Sequence, residues 1–372
     1  MEKFFPLGDI GKFITIQNKS GMSAKDYQYF QEVIDILFPI LNKENIKIVH
    51  LGQDSPPLNG VINFNNKTSI GQAFFILKKS LLHFGVDSWL THAACAEEVP
   101  CISLYGSTTI ENHSPYHFNP EKSIFLESHR NGAKATFSRD ENPKSVNLIN
   151  PELIASSICK LLNLPFDYPY QTVSIGAFYN IKFLESCPDS VIDIRNLGID
   201  TLIMRMDLVF NEQNLAGQLN LNKCSILTNK PINLDLLRNF RQKIIDLVYF
   251  VEEDNNPDFV KNIKDLRIPY RLVTTLLTEK LNEYKFNYID YNIINSIDTS
   301  KPKEINEDDI KNGLIFYKSS KTLLSKGKIY NSHQDFKNSR PIPSFEVFPQ
   351  QVLLDNISDL YKEKDYILFL KK

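Results

Sequence analysis

The sequence predicts an α/β protein, a doubly wound parallel-sheet domain followed by a second α/β domain. Three observations carry this expectation. Between Phe13 and Leu162 short apolar runs alternate with amphipathic helical stretches, the pattern of parallel strands joined by helical crossovers. At 372 residues the chain is long enough for two domains with substantial cores. A segment with two prolines, Leu164–Tyr170, separates the first alternation from a second one. The expected division is residues 1–163, a linker at 164–170, and residues 171–372.

Each element has its own justification. Phe13–Ile16 is a β-branched strand, and Ser23–Leu41 places Tyr27, Phe30, Ile34, Leu37 and Leu41 on one helical face. Ile46–Leu51 and Val61–Phe64 follow as strands. Ser69 is an N-cap for a helix running to about Ser80, with Ile70, Phe74 and Leu77 on its apolar face. Beyond a strand ending near Val86 come the helix Trp89–Glu97, a strand at Cys101–Tyr105 and another at Ser123–Glu127. The polar stretch His129–Lys144 is a loop. Pro151 suits the first turn of a helix ending at Leu162. In the second half, strands are expected at Thr201–Met206, Cys224–Thr228, Leu247–Val251 and Tyr270–Thr274, with helices at Leu234–Ile245 and Pro257–Leu266. The last part alternates less regularly, with strands at Gly313–Tyr317, Lys328–Tyr330 and Tyr366–Leu370 and a helix near Val352–Lys362.

Composition narrows the function classes. A net charge of −2 gives no global basic field that would recommend nucleic acid as a partner. No apolar run approaches the roughly 18–20 residues that span a bilayer, and the N-terminus lacks a signal-peptide layout. Five cysteines (Cys95, Cys101, Cys159, Cys187, Cys224) form no CxxC pair and show no ligand spacing with the seven histidines. They fit small core residues in a reducing, cytoplasmic compartment, with no metal site.

The chemistry-bearing segment runs from Phe84 to Tyr116. It comprises a strand end, Asp87-Ser88, an Ala-rich helix carrying His92, Pro100, a strand, then Gly106-Ser107-Thr108-Thr109 and Pro115-Tyr116. A hydroxyl-rich turn at a helix N-terminus presents backbone N–H groups and a positive dipole end, which suits phosphate. The second Gly/Ser/Thr turn falls at the carboxyl end of the next strand, where open α/β sheets bind ligands. Together the two turns describe one anion pocket. Taken singly, Asp87 and Ser88 also read as ordinary N-caps, and His92 as a packed or surface histidine.

This segment resembles the heptosyltransferase-like glycosyltransferases of family 9. Their nucleotide-sugar-binding half carries D-[ST]-G-x-x-H-x-A-A, then a proline, a strand and a G-x-T turn followed by P-Y-G. The matching residues here are Asp87-Ser88-Trp89-Leu90-Thr91-His92-Ala93-Ala94, Pro100, Leu104-Tyr105-Gly106-Ser107-Thr108 and Pro115-Tyr116. Trp89 and His117 stand where the family has glycine. The resemblance extends from about Phe13 to about Leu162 and implies the two-domain GT-B architecture, with this part as the donor domain.

By that resemblance Asp87, Ser88, Leu90, His92, Gly106, Ser107 and Thr108 line the site of a nucleoside-diphosphate sugar of ADP or UDP type. Asp87 and His92 lie near the sugar and are the catalytic candidates. Lys19 is the counterpart of a lysine that neutralises diphosphate charge, and Asp54 of an acidic ribose ligand; the alternative for both is a solvated loop. The implied reaction is a metal-independent inverting displacement without a cofactor, the nucleotide sugar being a substrate. It needs a carboxylate base to take the acceptor hydroxyl proton. The acceptor is unspecified, a glycan or glycolipid fitting the class.

In the family the base comes from a domain that precedes the donor domain and carries a G-x-x-G-D loop. Leu7-Gly8-Asp9-Ile10-Gly11 is superficially similar but differs in order, and about a dozen residues precede the first strand here. The expectation is that the second half supplies acceptor or partner binding in permuted order, with Asp189, Asp207 and Glu252-Glu253-Asp254 as its carboxylates. Lys318-Ser319-Ser320-Lys321 and Lys326-Gly327-Lys328 form a basic concentration, read first as a solvated hairpin face. The alternative for the whole chain is a non-catalytic nucleotide-sugar-binding or structural protein that kept the donor fold.

Overall fold

In the computed structural model a six-stranded, wholly parallel sheet organises the first unit, Met1–Pro169. Its strands are β1 (Lys12–Gln17), β2 (Ile46–His50), β3 (Ile62–Asn63), β4 (His83–Val86), β5 (Cys101–Tyr105) and β6 (Ser123–Glu127), in spatial order β3-β2-β1-β4-β5-β6. The structure describes residues 10–372 except 177–178, 180, 182, 196, 198, 254–255, 296–304, 345–349 and 364. The Leu7–Gly11 loop therefore lies largely outside the described residues, as does Asp254.

The helices α1 (Phe30–Lys43), α2 (Ile70–Lys79), α3 (Trp89–Ala96), α4 (Ile110–His113) and α5 (Pro151–Leu161) connect and flank these strands. Ser69 and Gln72 form a reciprocal capping box on α2, and Pro151 takes the first turn of α5. Burial on both faces fits the largely apolar make-up of β1, β4 and β5, whose buried polar residues include Thr15, His83 and Ser103. The predicted helix Ser23–Leu41 is a correction: Ser23–Lys25 is a separate 3-10 turn and the α-helix starts at Phe30. Asp26 is extended between them (φ −76°, ψ 107°), its carboxylate accepting the Ser20 N–H at 2.6 Å. The break frees Lys25 to turn toward the sheet.

The second unit, Tyr170–Lys372, contains two sheets. Its strands are β7 (Tyr170–Ile175), β8 (Phe183–Ser186), β9 (Thr201–Arg205), β10 (Cys224–Thr228), β11 (Ile244–Val251), β12 (Tyr270–Thr274), β13 (Ile293–Asn295), β14 (Ile315–Ser319), β15 (Lys321–Ser325), β16 (Lys328–Tyr330), β17 (Val352–Leu353) and β18 (Tyr366–Lys371). The larger sheet runs β13-β12-β11-β10-β9-β8-β15-β16, parallel except for the β15–β16 hairpin. From β8 to β13 each strand is laid beside its predecessor. The crossovers from β9 onward carry α6 (Glu212–Leu221), α7 (Leu234–Asn239), α8 (Pro257–Asp265) and α9 (Thr278–Tyr284). Leu202, Met204, Ile226, Leu247 and Tyr249 pack with Leu215, Leu219, Phe259 and Ile263 into its core. The smaller sheet is antiparallel, β17-β14-β18-β7.

Three expectations for this unit are corrected. The helix from Leu234 stops at Asn239, and Ile244 and Ile245 open β11. The region Val352–Lys362 is a two-residue strand followed by a 3-10 helix, Ile357–Glu363. Lys318 and Lys321 are not on a solvated face: they are 6% and 1% exposed. They belong to two different strands, β14 and β15, rather than to one hairpin. Lys326 and Lys328, at the β15–β16 turn, are exposed as expected.

Candidate functional site

In the order β3-β2-β1-β4-β5-β6 the connections lead to one side after β1 and to the other after β4. The crevice between the carboxyl ends of β1 and β4 is therefore the topological switch point, where open α/β sheets bind ligands. Three chain segments end there: Gln17–Ser20 after β1, Asp87–Ser88 after β4, and Gly106–Thr108 after β5.

Gly85 lets the first two approach. A Cβ at this position would lie 2.4 Å from the Gln17 carbonyl oxygen, so β4 meets β1 more closely than any side chain permits. Ser88 then links the two strand ends, its hydroxyl donating to Gln17 Oε1, while Gln17 Nε2 donates to the Lys19 carbonyl at 3.1 Å. Ser88 is the N-cap residue of α3, yet no side chain caps this helix. The start of α3 thus keeps its positive dipole end uncapped by any side chain.

Asp87 is 4% exposed and multiply held. Its Oδ2 accepts from Lys25 Nζ at 2.6 Å and from Thr108 Oγ1 at 3.1 Å. This carboxylate thus ties together the turns after β4 and β5 and the 3-10 segment before α1. Lys25 was missed in the sequence because an unbroken helical pattern seemed to run through it. The signal was the polar interruption at Lys25-Asp26.

The third segment is clamped by Arg130, also missed, whose Nε donates to the Gly106 carbonyl and Nη2 to the Thr108 carbonyl, each at 2.7 Å. Glu127 holds the same guanidinium at 2.8 Å. Gly106 is enclosed: a Cβ there would lie 2.4 Å from Val146 N and 2.6 Å from Val146 Cα. Ser107 is fully buried, and its hydroxyl has no hydrogen-bond partner.

The other candidates separate. The Leu90 side chain is in the core with Val49, Leu51 and Ala94, so only its backbone can face a ligand. His92 is exposed on the first turn of α3, and Trp89 is 43% exposed at the start of that helix. Lys19 and Asp54 do come together, but through the Asp54 carbonyl, which accepts from Lys19 Nζ at 2.8 Å; the Asp54 side chain is exposed.

Two neutral histidines lie under the switch point. His50 bonds Asn18 at 2.8 Å and His83 bonds Thr15 at 3.1 Å, and burial lowers their pKa values to about 4 and about 3. Below the ordinary value near 6.5 the unfolded chain binds protons that the folded one refuses. Stability is therefore fully present above pH 6.5 and falls as pH drops toward those folded values, by about 1.4 kcal/mol per histidine for every pH unit traversed. The urea midpoint is expected to decrease steadily from pH 7 to pH 5. A flat midpoint over that range contradicts burial in neutral form.

Among the described residues of the second unit, the sequence-level carboxylates are engaged. Asp207 pairs with Arg205 at 2.6 Å, Asp189 accepts from Ser325 Oγ at 2.6 Å and from Lys326 N at 2.9 Å, and Glu253 pairs with Lys280. Glu252 accepts from Asn229 at 3.4 Å. Arg205 also meets Glu185 in the interior, where Lys321 Nζ lies 3.1 Å from the same carboxylate. Among the described residues no group of three or more His, Cys, Asp or Glu is arranged to hold a metal ion, and no helix is long and apolar enough to cross a membrane. All five cysteines are buried and unbridged.

Comparison with known proteins follows this geometry. Residues 12–145 match the model of glycosyltransferase family 9 (heptosyltransferase). Similar solved structures include a glycosyltransferase family 9 protein from Veillonella parvula, with 19% identity over 44% of this chain and 49% of that one and a TM-score of 0.34. E. coli ADP-heptose LPS heptosyltransferase II has 17% identity over 44% of this chain and 50% of that one, TM-score 0.34. E. coli heptosyltransferase WaaC, solved with ADP, has 16% identity over 43% and 46%, TM-score 0.31. The chain spans about half the length of each of these structures. A search of the curated proteins gave no match. The match to glycosyltransferase family 9 (heptosyltransferase) is confined to residues 12–145, less than half of the chain.

Proposed function

We propose that the first unit binds a nucleoside-diphosphate sugar at the switch point and that the protein transfers that sugar to an acceptor hydroxyl. The observation that carries this reading is the start of α3. It has no side-chain cap, it lies at the Rossmann-type crevice, and it falls inside the family-matched segment. Backbone N–H groups and the dipole end of α3 would take the diphosphate, with Lys19 supplying charge at the end of β1. Stabilising the departing diphosphate in this way is the electrostatic part of an inverting displacement.

In this reading Asp87 is a positioning residue. Its carboxylate is committed to Lys25 and Thr108, so it joins the turns after β4 and β5 to the 3-10 segment before α1 rather than taking the acceptor proton. The proton acceptor is then a carboxylate outside this cluster. His92, exposed on α3, is placed to contact the donor sugar.

ADP, UDP and their sugars are the test ligands. A binding nucleotide at about 100 times its dissociation constant is expected to add about 2.7 kcal/mol of stability, visible as a raised melting temperature. No shift with any of them at saturating concentration removes the donor reading. Release of nucleoside diphosphate on adding an acceptor then distinguishes transfer from binding alone. One observation favours the non-catalytic alternative: the bulky Trp89 stands exposed at the helix start where a diphosphate would dock. If Trp89 obstructs the site, Trp89→Gly tightens nucleotide binding; if its ring stacks on the ligand, the same change weakens it.

A further inference from the structure

Two thiols meet at the far end of α3. Cys95, in the last turn of that helix, and Cys101, the first residue of β5, place their sulfur atoms 3.3 Å apart. They come together because the chain reverses tightly between them. The Glu97 N–H donates to the Ala93 carbonyl at 3.1 Å and the Val99 N–H to the Ala94 carbonyl at 2.9 Å, while Glu98 turns the backbone through the left-handed region (φ 54°). Ser123, paired with Cys101 across β5 and β6, brings its hydroxyl oxygen to 3.8 Å from Cys95 Sγ and 3.6 Å from Cys101 Sγ.

The pair is asymmetric. Cys95 is 6% exposed and Cys101 is fully buried, so a small reagent reaches Cys95 first. The hydrogen bond from Cys101 holds the Cys95 thiol below its ordinary pKa, against the opposing effect of burial. That same contact, with burial, pushes Cys101 well up. Negative charge therefore collects on the outer sulfur, in the form that attacks an oxidant, and the proton stays on the inner one. Cys159, Cys187 and Cys224 are 0% exposed, and burial raises their pKa to about 11 for Cys159 and about 12 for the other two. Those three are held as thiols. A disulfide needs its sulfurs at about 2.05 Å, so closure asks for an approach of about 1.3 Å. The turn between the two cysteines lies at the surface, with Ala96 and Glu98 exposed and Glu98 paired to exposed Lys122, where it can absorb such a shift.

We propose that Cys95 and Cys101 form a reversible oxidative modification site, a dithiol that a peroxide converts into a disulfide. The Cys95 thiolate attacks one peroxide oxygen and the O–O bond breaks. Cys95 becomes a sulfenic acid, and the departing hydroxide takes up the proton that Cys95 had released, forming water. The Cys101 sulfur then attacks the sulfenic sulfur, forming the S–S bond, and the hydroxyl leaves with the Cys101 proton as a second water. Two thiols lose two electrons in all, and one peroxide is reduced to two waters. A dithiol reductant restores both thiols by exchange. The bond pins the last turn of α3, the helix whose start opens the switch-point crevice, to β5. This site is independent of the donor reading, since no nucleotide takes part.

The test treats the folded, reduced full chain with hydrogen peroxide, alkylates the remaining thiols and digests the protein without reduction. Cleavage after Glu97 and Glu98, between the two cysteines, leaves their peptides joined only where the bond has formed. Mass spectrometry is expected to find a Cys95–Cys101 cross-link that dithiothreitol reverses, with Cys159, Cys187 and Cys224 alkylated. Oxidation of the pair is expected to be about tenfold or more faster than at those three. Cys101→Ala is expected to leave Cys95 as a sulfenic acid that dimedone traps, and Cys95→Ala to leave Cys101 reduced. Because the cross-link is read in the unsubstituted chain, a variant that fails to fold does not remove the test. The proposal is overturned if both thiols survive a treatment that fully oxidises glutathione, or if the cross-link forms only in urea. Oxidation spread equally over all five cysteines, or Cys95 driven to sulfinic acid without a cross-link, overturns it as well.

Discussion

Replacing Lys25 by methionine is expected to destabilise the first unit by about 3–5 kcal/mol, the cost of leaving Asp87 buried and ionised without its cation. The figure belongs at the lower end, since the Thr108 hydroxyl still donates to the same oxygen. A urea titration followed by circular dichroism measures it. The companion variant, Lys25→Met with Asp87→Leu, is expected to recover much of the loss, because a buried pair exchanged for apolar groups of similar size is often nearly neutral. Recovered stability without recovered nucleotide binding separates holding the fold from holding the ligand. If Lys25→Met costs less than about 1 kcal/mol, the pair is solvated and Asp87 is not the hub described here.

The second large effect is expected at Gly85. Gly85→Ala places a methyl group 2.4 Å from the Gln17 carbonyl oxygen, and a strand backbone does not yield as a flexible side chain does. Overpacking of this kind costs about 1–3 kcal/mol, and here it also pries β4 from β1 at the switch-point crevice. Nucleotide response is expected to fall more than stability does. Gly106→Ala, facing the Val146 backbone, provides the contrast: it strains the turn after β5 without parting β1 from β4. Equal losses from both changes would mean that the crevice carries no special sensitivity.

The frame of the first unit was legible in the sequence because each element declares itself locally. Apolar runs of four to six residues are separated by capped helices, and Ser69 and Pro151 mark two of the helix starts. Asp87, Ser88 and Gly106–Thr108 were legible for the same reason, as short motifs at strand ends. Lys25 was not, since its partner lies 62 positions away and nothing local distinguishes it from a surface lysine. Arg130 hid in a polar loop, its role set by carbonyls 22 and 24 positions earlier. In the second unit β15 was missed because Lys321 opens it, a residue that usually signals exposure. Its burial depends on Glu185, contributed by a strand that also escaped notice. The Glu363 carboxylate is held by Tyr317, Ser319 and His333, 46, 44 and 30 positions earlier, and has no local signature.

The strand order of the first unit has a kinetic consequence. β1, β2 and β3 can associate through contacts close in the chain, and β4, β5 and β6 likewise, whereas β1 and β4 pair across 68 residues. Closing that long loop is the slow step in forming non-local sheet contacts. The switch-point crevice, with Ser88 bonded to Gln17 and Lys25 to Asp87, sits on the seam between the two halves. Its closure is therefore expected to follow that of either half, and hydrogen exchange at Gln17 and Gly85 to outpace that within β1–β2. A molecule bound there would latch the joined halves, and its occupancy would reduce how often they part.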